Sequence, residues 1–298
     1  MIIHFRSADH TRNLIADLLA HCEHHLLEIL VVENGGTPAD RSIVDKRIRY
    51  ITLPENAGYA GACNTGARHA TGQFLLFLND DLSFTNDWLR PLLEQCEADP
   101  SIGMIAPGLT YKNERFQLSW GVDPTLLEEY RERRRQREAR RGTGRAYRHR
   151  EQQSTMAREV DWITGAVMLC SRSAFEHVCG FDESFPFYYE DVDICRRVRV
   201  AGYHIRYDPS VSVTHFLGGS SDIQRPQTRA LYQYGKVRYY ARHCGYISFL
   251  LLKLYLSIAS IRHAFRTQVE ENSASPARFD WRSVPFRPSG PRCDSRPT

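Results

Sequence analysis

The sequence predicts an α/β fold built around a mostly parallel sheet. Three short apolar runs, 29–32, 48–53 and 74–78, alternate with segments whose apolar residues recur at helical spacing. Two of these runs end in polar turn residues, at 33–36 and 79–81. Ligands bind at the carboxyl ends of the strands in such sheets, so both turns are candidate binding positions.

The predicted elements follow in order along the chain. Residues 2–5 predict a very short buried strand, and residues 11–27 predict a helix from the spacing of their leucines and isoleucine. The apolar runs 29–32 and 74–78 predict further buried strands, and 48–53 predicts another strand. Between the second and third runs, the Gly-, Ala- and Asn-rich segment 55–72 predicts a loop and a tightly packed helix. A second ordered stretch is predicted over 158–217.

Composition is that of an ordinary globular protein with two basic appendages. The 298 residues are 42% hydrophobic and 25% charged, enough for one large domain with extensions. The net charge of +4 is uneven, because segment 128–151 holds ten Arg and five Glu and segment 277–298 holds five Arg and two Asp. These two segments carry +5 and +3, so the rest of the chain is mildly acidic.

The cysteines and the first residues both indicate a cytoplasmic protein. Eight cysteines are scattered without C-x-x-C pairs or zinc spacing, and we expect reduced thiols rather than a disulfide framework. The chain reaches a charge at Arg6, and we expect no signal peptide there.

The domain organisation follows from these segments. We predict one domain over 1–245, interrupted by the Arg-rich insertion 128–151. The most apolar run, 247–261, contains Lys253 and falls short of the roughly 20 residues that span a bilayer. A helix over 246–270 therefore either packs against the domain or lies in a membrane interface. The Pro-, Ser- and Arg-rich tail 271–298 predicts disorder.

The Arg-rich insertion 128–151 has three interpretations. It is a solvated loop, a contact for anionic lipid or a lipid-diphosphate acceptor, or a nucleic-acid-binding segment. Nucleic-acid binding needs aromatic residues between the basic ones, and the insertion offers only Tyr130 and Tyr147. We therefore expect no nucleic-acid partner, and the first two interpretations stay open.

The two strand-ending turns carry groups that can bind a ligand. Asn79-Asp80-Asp81 can hold a hard divalent cation, whose other ligands are commonly phosphate oxygens and water. Glu33 can accept hydrogen bonds from a nucleotide base or ribose. The alternative for both is a simple turn, because Asn and Asp favour turns.

An acidic cluster gives a sharper signal. Glu190, Asp191 and Asp193 lie within four positions, which is costly unless the charges have partners. In a helix that begins here, the dipole favours Glu190 and Asp191, and Asp193 pairs with Arg197 at i+4. One carboxylate can then act as a general base while Arg196, Arg197 or backbone amides hold the others. The alternative is a capping role alone.

His215 follows a strand-like stretch and precedes the Gly-Gly-Ser-Ser run 218–221. It is either a structural histidine or a metal ligand on a closing loop.

Taken together and in their order along the chain, these motifs resemble the family 2 inverting glycosyltransferases with the GT-A fold, in their rhamnosyltransferase-like branch. The similar blocks are EILVVENGG (28–36), ENAGYAGACNTGARHATGQFLLFLNDD (55–81), WITGAVMLC…YDPSVSVTH (162–215) and GGSS (218–221). The GFDE…YYEDVD stretch inside the third block is the most specific.

The resemblance implies a set of site residues. It implies that Asp191 is the catalytic base and that Asp81 binds a divalent metal, Mg²⁺ or Mn²⁺, with His215 as a further ligand. Glu33 stands where relatives carry a nucleotide-binding Asp, and Asn79 replaces the first Asp of the metal motif. The other residues implied to bind the nucleotide sugar are Phe5, Asn56, Gly58, Asn64, Asp80, Gly165 and Glu190.

The resemblance also implies a reaction. A sugar passes from a nucleoside-diphosphate sugar to a hydroxyl of a glycan or lipid-linked acceptor, with rhamnosyl transfer in cell-surface polysaccharide or glycolipid assembly as the leading expectation. We expect a cytoplasmic enzyme with peripheral contact to an anionic membrane at its inner face. The alternative is a non-catalytic nucleotide-sugar-binding or scaffold protein that retains the fold.

Overall fold

A computed structural model describes residues 1–131, 152, 154–216, 226–264 and 280–286, without the side chains of 226, 227 and 259–264. Its centre is a ten-stranded sheet. Eight of its strands lie side by side in the order Ile48–Leu53, Ile29–Asn34, Ile2–His4, Phe74–Asn79, Val167–Ser171, Ile102–Thr110, His204–His215 and Leu82–Ser83. Helices cover both faces of this sheet and bury two separate apolar clusters against it.

The first half of the sheet is parallel, as predicted. It comprises β1 (Ile2–His4), β2 (Ile29–Asn34), β3 (Ile48–Leu53) and β4 (Phe74–Asn79). Every residue of β2 is buried, because its side chains alternate between the two clusters and neither face meets water.

Two helices pack against this half, α1 (Ala8–His21) and α2 (Gly58–His69). A third helix, α3 (Leu89–Ala98), packs against the strand Ile102–Thr110 of the other half. The close packing predicted for α2 is confirmed, since a Cβ atom added at Gly66 would lie 2.7 Å from the Met1 sulfur. The small residues of α2 thus let the helix lie directly on the sheet.

The second half of the sheet is mixed. β11 (Val167–Ser171) runs antiparallel between β4 and β6 (Ile102–Thr110), and β12 (His204–His215) runs parallel to β6. β5 (Leu82–Ser83) pairs with the end of β12, which sets Leu82 opposite His215. The remaining short strands are β7 (Phe116–Gln117), β8 (Trp120–Gly121), β9 (Arg158–Glu159) and β10 (Trp162–Ile163).

The C-terminal helices form a third apolar cluster on the outside of the domain. After α4 (Arg172–His177) and α5 (Glu190–Val200) come α6 (Pro226–His243) and α7 (Tyr246–Ala264). Buried side chains of α6 and α7 pack with Tyr189 and Val192 at the beginning of α5. The packing alternative for the apolar helix is therefore correct for one of its faces. No helix within the described ranges has the length and apolarity to cross a membrane.

The prediction of a disordered tail is wrong for residues 280–286. These residues contain the 3₁₀ turn Trp281–Ser283, and Trp281 and Val284 are buried in the third cluster with 6% and 3% of their surface exposed. Burial of a tryptophan and a valine stabilises the segment despite its polar neighbours. The rest of 271–298, and most of the Arg-rich insertion, lie outside the described residues.

The cysteine prediction holds for six of the eight. Cys22, Cys63, Cys96, Cys170 and Cys195 are free and buried, and Cys244 is free and half-buried. Cys179 departs from the prediction because it is disulfide-bonded. It lies half-exposed in the turn after α4, where its sulfur can be reached, whereas the buried thiols are enclosed by the core.

Candidate active site

The acidic cluster occupies the first turn of α5, as predicted. The chain enters this helix through Tyr188 and Tyr189, both in the left-handed region with φ of 69° and 72°. Such backbone is costly for residues other than glycine and persists only where the surroundings hold it. Here α6 holds it, because a Cβ atom added at Gly235 would lie 2.5 Å from the Tyr188 carbonyl oxygen. The carboxylates of Glu190, Asp191 and Asp193 extend from this turn into three different environments.

Asp191 is held by two backbone amides. Its Oδ2 accepts a hydrogen bond from the Gly165 N–H at 3.1 Å, and its Oδ1 accepts one from the Val192 N–H at 2.8 Å. Burial raises the pKa of Asp191, and these two amides only partly oppose it. The carboxylate is therefore fixed in orientation and more basic than an ordinary aspartate.

Gly165 connects this carboxylate to the core. Its carbonyl oxygen accepts a hydrogen bond from the buried Tyr59 hydroxyl, while its N–H donates to Asp191. A Cβ atom at this position would lie 3.0 Å from the Tyr59 ring, so only glycine fits without displacement. Gly165 thus positions the predicted base through its backbone.

Glu190 points into the protein and is 6% exposed. Its Oε2 is buried and has no hydrogen-bond partner among the described residues. Burial first, and the neighbouring Asp191 second, raise the pKa of Glu190 well above its usual value. Burial thus favours the protonated, uncharged form of Glu190 beside Asp191.

Asp193 is fully buried and ion-paired. Its carboxylate accepts from Arg197 Nε at 2.7 Å, as the i+4 spacing predicted, and lies 2.6 Å from His243 Nε2. Arg242 Nη1 lies 3.6 Å away. Because His243 and Arg242 belong to α6, this carboxylate joins α5 to α6 and has a structural role.

The predicted metal ligands lie side by side. Asp81 Oδ1 and His215 Nε2 are 3.1 Å apart, and both residues are buried, with 8% and 5% of their surface exposed. The pairing of Leu82 with His215 between β5 and β12 brings them together. The Asn79 amide nitrogen lies 3.5 Å from His215 Nε2.

A carboxylate oxygen and an imidazole nitrogen suit a divalent cation. No group of three or more His, Cys, Asp or Glu side chains in the described parts of the chain is arranged to hold a metal ion. Two protein ligands suit a cation whose remaining positions are filled by water and phosphate oxygens. The pair therefore fits a metal that binds together with a phosphate-containing ligand.

Gln117 belongs to this site, and sequence reasoning missed it. Its amide nitrogen lies 2.9 Å from His215 Nδ1, and its Oε1 is buried without a partner among the described residues. Amide oxygen and nitrogen are interchangeable by rotation, so in the opposite orientation the Gln117 oxygen accepts a hydrogen bond from the Nδ1–H of His215. That orientation leaves the lone pair of His215 Nε2 free for a metal.

Asp80 holds the end of β1. Its Oδ2 accepts hydrogen bonds from the Ser7 hydroxyl and, at 3.4 Å, from the Phe5 N–H. His4 Nδ1 lies 3.9 Å from the same oxygen. Burial raises the pKa of Asp80. Asp80 and Phe5, both predicted to bind the donor, thus contact each other through the Phe5 backbone and form one wall beside Asp81.

Glu33 is buried at the end of β2 with its carboxylate fully engaged. Its Oε1 accepts from the Ala39 N–H at 2.9 Å, both oxygens accept from Arg41, and Oε2 accepts from Thr52 at 2.5 Å. Burial opposes ionisation, but these donors outweigh it and hold the pKa of Glu33 below its usual range. A nucleotide group would have to replace one of these donors, so here Glu33 fixes the 35–41 loop.

The beginning of α2 is organised by asparagines. Asn34, which sequence reasoning did not select, accepts from the Ala57 N–H at 2.9 Å and donates to the Gly58 carbonyl at 3.1 Å. Asn56 is exposed and accepts from the Gly58 N–H at 2.8 Å. Gly58 has φ of 74°, which favours glycine.

Asn64, which is predicted to bind the donor, is hydrogen-bonded within the protein. Its amide donates to the Phe181 carbonyl and to Glu183, and its oxygen accepts from the Phe181 N–H, all at 2.9 Å. Since its amide nitrogen and oxygen are both engaged in a buried position, Asn64 fastens α2 to the 181–183 loop.

The segments that carry the predicted base and the predicted metal ligands adjoin at one end of the sheet. The Asn79 N–H donates to the Ala166 carbonyl at 2.9 Å, where β4 and β11 lie side by side. Gly165, which holds Asp191, is one residue before Ala166, and Asp81 is two residues after Asn79. The two halves of the predicted site are therefore adjacent in space although 110 residues separate them in sequence.

A parallel sheet half, its mixed continuation and a carboxylate-lined end together define a GT-A glycosyltransferase fold. Residues 1–178, more than half of the chain, match the family described as Glycosyl transferase family 2. The chain therefore belongs to glycosyl transferase family 2.

Curated relatives agree with this family. The chain is 31% identical over 193 residues to the pre-mycofactocin glycosyltransferase of Mycobacterium tuberculosis, covering 63% of this chain and 37% of that protein. It is 25% identical over 239 residues to the N-acetylglucosaminyl-diphospho-decaprenol L-rhamnosyltransferase of the same organism, covering 69% and 71%. The chain thus spans little more than a third of the first relative's length.

Solved structures agree with the fold. The crystal structure of GalNAc-T7 with UDP, GalNAc and Mn²⁺ superposes with a TM-score of 0.54 at 14% identity, covering 89% of this chain and 57% of that one. The crystal structure of S. aureus TarS also gives a TM-score of 0.54, at 13% identity, covering 91% and 45%. At such identities the likeness concerns the fold alone.

Proposed function

We propose that this glycosyltransferase moves a sugar from a nucleoside-diphosphate sugar to an acceptor hydroxyl with inversion, using Asp191 as the general base. One observation carries the proposal. Asp191 is fixed by the Gly165 and Val192 amides at the end of the sheet that also bears the Asp81–His215 pair. In this proposal, Asp191 and the cation site at Asp81 and His215 would lie on opposite sides of the anomeric carbon of the donor sugar.

Asp191 would take the proton of the acceptor hydroxyl as that oxygen attacks the anomeric carbon from the face opposite the diphosphate. A single displacement inverts the anomeric centre. Base catalysis of this kind contributes about 10²–10⁴ in rate. The raised pKa of Asp191 supports the role, because a more basic carboxylate accepts the proton more readily. Burial of the neighbouring Glu190 disfavours a second negative charge beside it.

Asp81 and His215 would hold Mg²⁺ or Mn²⁺, with Gln117 fixing the imidazole. When bound, such an ion neutralises charge on the departing diphosphate. Asn79, which lies beside His215, and the wall formed by Asp80 and Phe5 would line the diphosphate and ribose region. Because Ser7 and the Phe5 backbone already hold Asp80 in place, this wall needs no large movement to receive the donor.

The nucleotide end of the donor would lie between the ends of β2 and α2. Glu33 would act there by holding Arg41 and the 35–41 loop, and Asn56 and Gly58 would border the entrance from the other side. Asn64 would contribute through the 181–183 loop that it fastens. Gly165 and Glu190 would shape the sugar side next to Asp191.

We further propose rhamnosyl transfer to a lipid-linked or glycan acceptor in cell-surface polysaccharide or glycolipid assembly. A relative that covers most of both chains is named for rhamnosyl transfer to a diphospho-decaprenol acceptor, which supports this choice. The enzyme would work in the cytoplasm, in peripheral contact with the inner face of an anionic membrane.

The decisive experiment compares wild type with Asp191→Asn. A panel of nucleotide sugars is screened with Mn²⁺ for thermal stabilisation, and the best donor is then used in a transfer assay. We expect Asp191→Asn to retain donor binding and to lose transfer almost completely. Transfer within about threefold of wild type would contradict the role of Asp191. Stabilisation of the wild type without any transfer or donor hydrolysis would instead support a non-catalytic binding protein.

A further inference from the structure

Tyr59 is the second residue of α2, and its side chain lies against Gly165. Its hydroxyl donates a hydrogen bond to the Gly165 carbonyl oxygen across 106 residues of sequence. The side chain is 9% exposed, and its ring packs edge-to-face on Phe181 with 6.0 Å between the ring centroids. Packing in the core accounts for the ring. It does not account for the hydroxyl, which points to a polar role for this residue.

Gly165 lies in the turn before β11, and its N–H donates to Asp191 Oδ2 at 3.1 Å. Glycine has no side chain, so its φ and ψ are less restricted than those of other residues. Two peptide groups flank its Cα atom. Asp191 accepts from the N–H of one, and Tyr59 donates to the carbonyl oxygen of the other. The Tyr59 hydroxyl therefore restricts the backbone rotation that would turn the N–H away from Asp191.

The backbone that carries Tyr59 is itself held from two sides. Asn34, at the end of β2, donates to the Gly58 carbonyl oxygen at 3.1 Å. On the other side, a Cβ atom added at Gly58 would lie 3.0 Å from the Pro186 carbonyl oxygen. The first turn of α2 thus has little room to move, and Tyr59 transmits its position to Gly165.

The Tyr59 hydroxyl stays protonated and can therefore act as a permanent donor. Burial first, and then the neighbouring Cys63, Glu190 and Asp191, raise the pKa of Tyr59 well above its usual value of about 10. A carboxylate such as Asp191 titrates far below this range. The hydrogen bond to Gly165 thus keeps its proton while the predicted base gains or loses its own.

We propose that Tyr59 is a positioning residue for the general base: its hydroxyl holds Gly165, and Gly165 in turn holds Asp191. This inference deepens the proposed function and rests on the role given there to Asp191. The contact runs to the base and not to the Asp81–His215 pair. Loss of the hydroxyl therefore affects the proton-transfer step, measured by kcat, and not the KM for the donor.

The test compares Tyr59→Phe with Tyr207→Phe in a steady-state transfer assay. Tyr207 is a matched control because it lies in the same apolar cluster, is 1% exposed, and donates its hydroxyl proton to a backbone carbonyl, that of Ser154, at 3.1 Å. We expect Tyr59→Phe to lower kcat about tenfold or more and to keep the donor KM within about twofold, because small displacements of a catalytic group are costly. Tyr207→Phe leaves both constants unchanged. Melting temperatures within about 5 °C of wild type verify that both variants fold.

A double variant tests whether Tyr59 acts through Asp191. We expect Tyr59→Phe/Asp191→Asn to transfer sugar no more slowly than Asp191→Asn alone, because the effects of residues that act through one another do not add. A further loss of transfer in the double variant would show that Tyr59 acts independently of the base, which overturns the proposal.

Three other results would also overturn it. They are a wild-type kcat in Tyr59→Phe, equal losses of kcat in Tyr59→Phe and Tyr207→Phe, and a raised donor KM with an unchanged kcat. A wild-type kcat in Tyr59→Phe together with loss of transfer in Asp191→Asn contradicts the role of Tyr59 alone. Full transfer by Asp191→Asn instead contradicts the proposed function, and the role of Tyr59 with it.

Discussion

Asp191 and Asp193 lie two positions apart on one helix, and we expect their replacement by asparagine to have opposite consequences. Asp193→Asn removes the charge that Arg197 and His243 share, in a position with no exposed surface. The side chains of Arg197 and Arg242 are only 11% and 7% exposed, so water cannot replace the lost partner. The variant therefore leaves uncompensated positive charge inside the protein.

The size of this effect follows from the partners that remain. Breaking a buried ion pair costs about 3–5 kcal/mol of the free energy of unfolding. Arg197 keeps the Val178 and Gly180 carbonyls as acceptors, at 2.6 and 2.8 Å, and Arg242 keeps Asp182, which places the cost near the lower limit. For a domain of this size, about 3 kcal/mol lowers the melting temperature by roughly 6–12 °C.

Asp191→Asn is the matched control. The pKa of Asp191 is raised in the folded state, so the stability linked to its proton is fully present at low pH and is lost as the pH rises through that raised pKa. A neutral asparagine therefore costs little stability at neutral pH. We expect an unchanged or slightly higher melting temperature together with near-total loss of transfer.

Differential scanning fluorimetry at neutral pH and a transfer assay on the two variants measure both effects. A melting temperature of Asp193→Asn within about 2 °C of wild type would refute the argument from uncompensated charge. Equal destabilisation by both substitutions would refute the division between a functional and a structural carboxylate.

Three further predictions concern the same site. The pKa of Asp191 is raised, so we expect the acid limb of the pH profile of kcat/KM to lie above the pKa of an ordinary aspartate, about 4. Activity then rises with pH through that limb. An acid limb at the ordinary value would contradict the environment described for this carboxylate. Gln117→Leu removes the group that orients His215. We expect the affinity for Mn²⁺, measured by electron paramagnetic resonance in the presence of a nucleoside diphosphate, to fall about 10–100-fold. Unchanged affinity would exclude a positioning role for Gln117. Gly235→Ala places a methyl group 2.5 Å from the Tyr188 carbonyl oxygen and displaces the turn before Asp191, so we expect kcat to fall in a steady-state assay; a wild-type kcat would show that the turn tolerates the shift.

The elements that the sequence predicted well are those with a strong local signal. The strand over 48–53 begins and ends where predicted, and the helix of 55–72 lies inside its predicted range. The acidic cluster begins a helix and Asp193 pairs with Arg197, because i+4 geometry depends only on the helix itself. Periodicity and turn residues carry this information within a few positions.

The features that sequence reasoning missed depend on contacts between distant segments. Gln117 contacts His215 across 98 residues, and His243 contacts Asp193 across 50, and no local pattern marks either pair. Asn64 matched a family block, but its partners in the 181–183 loop became visible only in three dimensions. Polar composition predicted disorder around Trp281. Its burial depends on apolar side chains of α6 and α7, which are distant from it in sequence.

The hydrogen bonds from Lys253 to the carbonyls of residues 282 and 284 hold the segment 280–286 against α7. Ending the chain before residue 280 would remove these hydrogen bonds and the buried Trp281 ring. The ammonium group of Lys253 could then turn outward and interrupt the exposed apolar face of the helix. The newly exposed core side chains would promote aggregation. A shortened protein would thus behave worse in solution than its polar, proline-rich ending suggests.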